Sequence, residues 1–307
     1  MTLTIETYGR DRLEQMLALY NAETAHEPHI APLTPERFLA LIEQKSYFDP
    51  DGLLVAVEDG AVVGWAHACV VPGSETWHDQ ERLAAQLRML IYPRTRLKVG
   101  HILVAEATGW LARSGLPLQL ALHAQAGYPF YRGIWMGGEP MGPASMPHVQ
   151  LALEVGGYKL TQESIFMTMR LDEAPSPRPV AGVELIEHAA EIKHATQRES
   201  WRGFAPRRTR ALIASAEVGS IGWVIEPHVA DRLGAPCMNI WALGVREEYR
   251  RKGIAAALIA DALCSAYAQG ARFASVGTQL WNAAAHATYA SFGYVPSCLL
   301  IGRTREG

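Results

Sequence analysis

The chain has 307 residues, 49% of them hydrophobic and 19% charged, with a formal charge of −3 and a sequence pI near 6.4. The length holds two domains or one large α/β domain, and the composition excludes a disordered or fibrous chain. The charge argues against a nucleic-acid binder that works by neutralising phosphates.

The opening, MTLTIETYGRDRLEQ, is charged by its tenth residue and has no apolar core segment, so no signal peptide is expected. No run of about 18 apolar residues occurs anywhere; the expectation is a cytoplasmic chain that meets no membrane. Cys69, Cys237, Cys264 and Cys298 lie far apart and form no CxxC pair. They read as small buried hydrophobes in a reducing compartment rather than disulfides or metal ligands, and no metal site is expected.

After a helical N-terminal part, GLLVAVEDGAVVGWAHACVV alternates apolar residues around Asp59-Gly60 and predicts a β-hairpin. A further strand precedes YPRTRLKVG, with Arg94, Arg96 and Lys98, and an alanine-containing amphipathic helix that ends at Gly115. Pro129 to Pro147, PFYRGIWMGGEPMGPASMP, is too long for a tight turn; a substrate-facing loop and a domain-packing insertion both fit. The half closes with ALEVGGYKLTQESIFMTMRL: a helix end, a Gly-Tyr pair and a strand.

Pro175, Pro177 and Pro179 then break both helix and strand and predict an extended linker. The expected division is residues 1–172, a linker over 173–182, and residues 183–307.

The second half repeats the first. RALIASAEVGSIGWVIE predicts another hairpin, with Gly222-Trp223 matching Gly64-Trp65. MNIWALGV predicts a buried strand, IAAALIADALCSAYAQG a long helix ending in glycine, and TYASFGYVPSCLLIGRTR again a helix end, Gly-Tyr and strand. Strands alternating with helices imply mixed α/β domains with parallel pairing at the centre of each sheet.

One segment conflicts with ordinary helix chemistry. In EEYRRKGIAAAL, the cations Arg250, Arg251 and Lys252 stand where a helix begins. Positive charge there opposes the helix dipole at a cost of about a few tenths of a kcal/mol each. Gly253 admits close backbone approach, and Ala255 and Ala256 keep the first turn free of bulk, so its amides could donate to phosphate oxygens. A solvated basic turn is the alternative reading of the same residues.

VREEYRRKGIAAALI resembles the coenzyme A signature of the GNAT superfamily of N-acetyltransferases, Arg/Gln-x-x-Gly-x-Gly/Ala, met by Arg250, Arg251, Lys252, Gly253, Ile254 and Ala255. The resemblance implies that the amides of this loop, through Ala256, bind the pyrophosphate of acetyl-CoA. It also implies that the preceding strand, Leu243, Gly244 and Val245, splays to admit the pantetheine arm. TQLWNAAAHATYASFGYVP resembles the family's later signature, with Asn282, Ala285, Tyr289 and Gly293-Tyr294. By that resemblance Tyr289 is the general acid that protonates the departing thiolate, and Asn282 is a coenzyme contact; an N-cap role suits Asn282 equally, and a packing role suits Tyr289.

An attacking amine must lose a proton. Glu226 and His228 are the first candidates for the base, with Glu199 and His286 behind them, and a structural role is open for each. RESWRGFAPRRTR, Arg198 to Arg210, lies where family members place substrate-contacting elements; a solvated basic face is the other reading.

The first half departs from the signature. Aligning GHILVAEA with AAALIADA puts Lys98 where Gly253 stands and Gly100 where Ala255 stands, and no spaced Asn and Tyr follow. It reads as a degenerate repeat, against a second coenzyme site at Arg94, Arg96 and Lys98. The expectation is two tandem GNAT-like domains, each a twisted mixed sheet flanked by helices, an architecture that resembles mycothiol synthase. The C-terminal domain would transfer acetyl from acetyl-CoA to an amine of a small molecule or peptide, in a monomer or homodimer. An acyl-CoA-binding pseudoenzyme or sensor is the alternative.

Overall fold

In the computed structural model, residues 2–72, 83–124, 130–134, 141–193 and 195–307 are described. The elements in chain order are β1 (Leu3–Thr7), α1 (Leu13–Glu23), α2 (Pro35–Phe38), β2 (Leu53–Glu58), β3 (Ala61–Pro72), β4 (Leu83–Ile91), α3 (Leu97–Ala112), β5 (Leu118–Ala121), β6 (Gly142–Pro143), α4 (Pro147–Val155) and β7 (Lys159–Arg170). The second half continues with β8 (Glu184–Ala189), α5 (Ala195–Trp201), β9 (Arg207–Ile213), β10 (Ala216–Glu226), α6 (Ala230–Leu233), β11 (Cys237–Val245), α7 (Ile254–Ala268), β12 (Phe273–Gln279), α8 (Ala283–Ala290) and β13 (Val295–Glu306).

The chain forms two compact units, each discontinuous in sequence: Met1–Ser164 with His194–Ser200 and Cys298–Gly307, and Ile165–Lys193 with Trp201–Ser297. The strand order in the first is β1-β2-β3-β4-β5-β13, and in the second β8-β9-β10-β11-β12 with β7 beside β12. In both, the first four strands pair antiparallel and the fourth pairs parallel with the fifth. The sixth strand of each unit thus comes from the segment that ends the other half of the chain. β7 and β13 carry the same twelve-position succession of exposed, half-buried and buried residues.

Both hairpins form. Asp59 and Gly60, at φ 50° and 82°, make the β2–β3 turn, and Ala214 and Ser215, at 48° and 66°, make the β9–β10 turn without a glycine. Gly157 and Gly293 end their helices at φ 85° and 95°, the left-handed closure that glycine tolerates. Each half opens on a strand, β1 or β8, where the sequence suggested only helix; both are short and interrupted by Glu and Thr or His, which weakens their alternation.

In the second unit, Ile254, Leu258, Ala262 and Ala266 recur every four residues along α7 and line its buried face with Ile259 and Leu263. That face packs with Ala211, Ile221, Trp223 and Ile240 of the sheet and with Tyr289 and Tyr294. Full burial of a Leu or Ile contributes about 1.5–3 kcal/mol, so this seam fixes where the N-terminus of α7 stands.

The Pro-rich segment is docked within the second unit. Arg178 lies 3.9 Å over the Phe292 ring and donates to the Ser291 carbonyl at 3.2 Å, and the Cys264 thiol donates to the Pro175 carbonyl at 3.0 Å. All four cysteines are free thiols. Phe130, Tyr131, Ile134, Met141 and Met146 of the Pro129–Pro147 stretch are buried in the first unit; Pro129 and residues 135–140 lie outside the described residues. Among the described residues, no helix is long and apolar enough to cross a membrane.

Candidate active site

β11 carries the geometry that matters most. It pairs with β10 on one side, but Gly222 stands opposite Ala242 and Trp223 opposite Ile240, so Trp241 is the extra residue of a β-bulge. On its other side the parallel pairing with β12 covers only Cys237–Ile240 against Phe273–Val276. Beyond that point Trp241–Val245 and Gly277–Gln279 continue as strands without pairing to one another. The sheet therefore opens beside Leu243, Gly244 and Val245, and backbone groups there are left to other partners.

The strand leads through a turn at Glu247–Tyr249 into the cationic loop. Arg251 and Gly253 are both left-handed, at φ 60° and 81°. No side chain caps α7, and the first bond of the helix runs from the Ala257 amide to the Gly253 carbonyl at 2.9 Å. The amides of Ile254, Ala255 and Ala256 precede it and face outward from the helix start. Arg250 donates Nε to the Val245 carbonyl at 3.1 Å, and the Lys252 ammonium lies 5.1 Å from the Tyr249 ring centre. Among the described residues Arg251 and Lys252 have no ion-pair partner, and both are exposed. A left-handed turn, open amides, free cations and no Cβ at position 253 make a cradle that fits a pyrophosphate.

α8 follows the open end of β12. Asn282 caps it, its side chain accepting from the Ala285 amide at 3.2 Å, so the capping role is realised. His286 lies 3.1 Å through Nε2 from the Gln279 carbonyl. Tyr289 is buried, 4% exposed, with its ring 5.6 Å from that of Tyr294. Burial pushes its phenol up to about 12, and its hydroxyl has no hydrogen-bond partner among the described residues. Tyr289 thus holds its proton at neutral pH and has it uncommitted.

The four candidate bases fall in different settings. Glu226, 1% exposed, ends β10 opposite Cys237. His228 is half-buried with its ring edge-on to Phe204 at 5.8 Å. His286 faces the Gln279 carbonyl. Glu199 belongs to the first unit, where its carboxylate accepts from the Ser46 amide at 2.8 Å and its carbonyl from the Lys45 ammonium at 2.6 Å.

The corresponding place in the first unit is built differently. Residues 92–98 contain no left-handed backbone, and α3 starts with the Val99 amide already bonded to the Arg96 carbonyl at 2.9 Å. Arg96 is paired with Glu58 at 2.5 Å, and Arg94 lies 3.3 Å from His26 Nε2. Glu58, Arg96 and Lys98 line a cavity of ≈ 370 Å³, so a phosphate entering it would meet a carboxylate. A Cβ on Gly100 would stand 2.2 Å from the Tyr92 ring, so this glycine makes room for packing.

Trp241 escaped the sequence reading, because a bulge depends on partners across the strand. Gly222 was the available signal: a small residue beside a tryptophan strand leaves space for a ring. Among the described residues, no group of three His, Cys, Asp or Glu could hold a metal.

The acetyltransferase (GNAT) family model matches residues 172–294. No curated protein matches the chain significantly in sequence. Among solved structures, a GCN5-related N-acetyltransferase from Sphaerobacter thermophilus is similar with a TM-score of 0.67 at 15% identity, over 99% of this chain and 95% of that one. A tandem GNAT protein from the clavulanic acid biosynthesis pathway, in a structure without AcCoA, is similar with a TM-score of 0.67 at 16% identity, over 99% of this chain and 98% of that one. The family match is thus confined to residues 172–294, and the whole chain has the tandem GNAT fold.

Proposed function

We propose that the protein is an acetyl-CoA-dependent N-acetyltransferase whose C-terminal domain, residues 183–307, acetylates an amine of a small molecule or peptide. The observation that carries the reading is the loop Arg250–Ala256, left-handed at Arg251 and Gly253 and followed by uncapped amides. Those amides and the side chains of Arg251 and Lys252 would hold the pyrophosphate, and Asn282 would contact the coenzyme from the start of α8. The opened edge of β11 at Leu243, Gly244 and Val245 would face the pantetheine arm. Acetyl-CoA, when bound, supplies an activated acyl group as its thioester.

The remaining chemistry belongs to the protein's own backbone and side-chain groups. Backbone donors along the open strand edge stabilise developing negative charge. Tyr289, protonated at its hydroxyl, serves as the general acid. Glu226 and His228, at the end of β10, are the groups proposed to take the amine's proton. The reading places cytoplasmic, metal-free catalysis in a monomer or homodimer.

The test is calorimetric titration with acetyl-CoA, followed by assay of free CoA release across a panel of amines. One site per chain, lost in Gly253→Glu, and CoA release with at least one amine are expected. Two sites per chain, or binding without release from any amine, would overturn the reading.

A further inference from the structure

One face of the second unit's sheet has no part in the coenzyme site described above. Thr209 donates to Asp261 of α7 at 3.3 Å, and Ala211, Ile221 and Trp223 pack with α7, so these residues mark the helix side. Alternation along the strands puts Arg208, Arg210, Ser220 and Gly222 on the other side. There Arg208 stands opposite Gly222 and Arg210 opposite Ser220, with His188 of β8 beside Arg208.

Trp241 joins this face, because its ring fills the space above Gly222: a Cβ there would meet the indole at 2.4 Å. Trp201 extends the wall, its ring centre 5.7 Å from that of Trp241. Beside it Arg208 reaches Glu217 at 2.7 Å and the Ser220 hydroxyl at 3.0 Å. Ser220 thus binds the Arg208 guanidinium and stands opposite Arg210 in register, and among the described residues Glu217 is the one carboxylate either arginine reaches. Arg210 Nε and Trp241 Nε1 are shut from water and, among the described residues, have no acceptor. Donors kept from water and left unbonded are destabilising, and a ligand acceptor removes the defect.

We propose that this face is the subsite for a carboxylate on the acceptor, with Arg210 and the Trp241 indole N–H as its donors and the Trp201–Trp241 rings as its apolar wall. The proposal rests on the acetyltransferase reading for the word acceptor, but not for the binding itself. A guanidinium with its fork free matches a carboxylate in two parallel bonds. The acceptor class is then an amine that also carries a carboxylate and an apolar body, as an amino acid or a peptide terminus does.

The test is calorimetric titration of the full chain, in the presence of CoA, with N-acetyl-L-phenylalanine and with its carboxamide as product-like probes. The wild type is expected to favour the carboxylate by on the order of tenfold or more. Arg210→Gln should abolish that preference and leave CoA binding unchanged; Trp241→Phe, which removes the N–H and keeps a ring, should reduce it. Equal binding of carboxylate and carboxamide, an equal loss of both in Arg210→Gln, or displacement of the probe by equimolar inorganic phosphate would overturn the proposal. Carboxylate-selective binding in a chain that releases CoA from no amine would instead remove the transferase reading and leave this subsite standing.

Discussion

The indole of Trp241 occupies the volume in which a side chain on Gly222 would stand, with Cζ2 only 2.4 Å from an ideal Cβ at that position. The bulge residue of β11 and the glycine of β10 are thus one structural unit. Gly222→Ala should destabilise the protein by about 1–3 kcal/mol through overpacking, read in urea unfolding. Adding Trp241→Ala should restore part of that loss. Strict additivity of the two substitutions would show that they do not share this space.

Gly253 has φ 81°, and its nearest neighbour outside the loop is Val180, 3.4 Å from an ideal Cβ. Gly253→Ala should cost about 1–2 kcal/mol of stability through the left-handed backbone and weaken acetyl-CoA at least on the order of tenfold, one factor of ten per 1.4 kcal/mol. Lys98→Gly in the first unit should change neither titration stoichiometry nor affinity. A gain of a second site in that variant would mean that its loop is closer to competence than Glu58 and Tyr92 suggest.

Tyr289 is held neutral by burial, with its phenol near 12 against an ordinary value of 10. The native state keeps a proton that the unfolded chain loses, so this contribution is complete below pH 10 and fades as pH rises toward 12. Tyr289→Phe should lower kcat by about a hundredfold, the usual scale for a general acid, with acetyl-CoA affinity preserved. A fall of the wild-type rate between pH 8 and 10 that persists in Tyr289→Phe belongs to another group; an unchanged kcat in the variant would remove Tyr289 from the chemistry.

His67 is fully buried in the first unit, its Nδ1 2.8 Å from the Tyr131 hydroxyl, and burial followed by the nearby Arg88 charge lowers its pKa to about 3. The unfolded chain binds a proton here near pH 6.5 that the folded chain refuses. Its contribution to stability is therefore complete above pH 6.5 and falls by about 1.4 kcal/mol per pH unit on acidification toward 3. His67→Gln should reduce the proton uptake on unfolding at pH 5 by about one, measured from the slope of stability against pH. An unaltered slope would place the acid sensitivity elsewhere.

Arg178 holds the Pro-rich segment to Phe292 and Ser291. Phe292→Ala should lose about 0.5–2 kcal/mol from the cation–π contact and speed cleavage of the segment after Glu173 by a glutamate-specific protease. Equal cleavage rates in the two proteins would show that the segment is held by other contacts.

The sequence and the structure diverge in an instructive way. The Asp59-Gly60 turn was legible because its residues tolerate left-handed backbone; the Ala214-Ser215 turn was found only from the alternation around it, since neither residue announces φ above zero. Gly253 was legible for the same reason as Gly60, and the cations beside it because they oppose a helix dipole. The opening of β11 from β12 was expected only by resemblance. Pairing that stops at Ile240 and Val276 depends on what lies across the strand, and local pattern does not encode it. The allocation of Cys298–Gly307 to the first unit and Ile165–Lys193 to the second has the same origin: the chain order of strands does not dictate which sheet they complete. Arg210 was visible as part of a basic run, yet only the register of β9 against β10 separates it from the cations around it.

Arg251 is left-handed without being glycine, at φ 60°, and exposed, with its charge beside those of Arg250 and Lys252. Such a residue is held at a cost of about 1–2 kcal/mol, and the surrounding cations add their own. If the loop binds the coenzyme as proposed, selection for thermostability and selection for catalysis pull on it in opposite directions. A laboratory screen that rewarded heat resistance alone would accept Arg251→Gly and charge-reversing changes early, and its winners would be sturdier proteins that had lost their grip on the coenzyme.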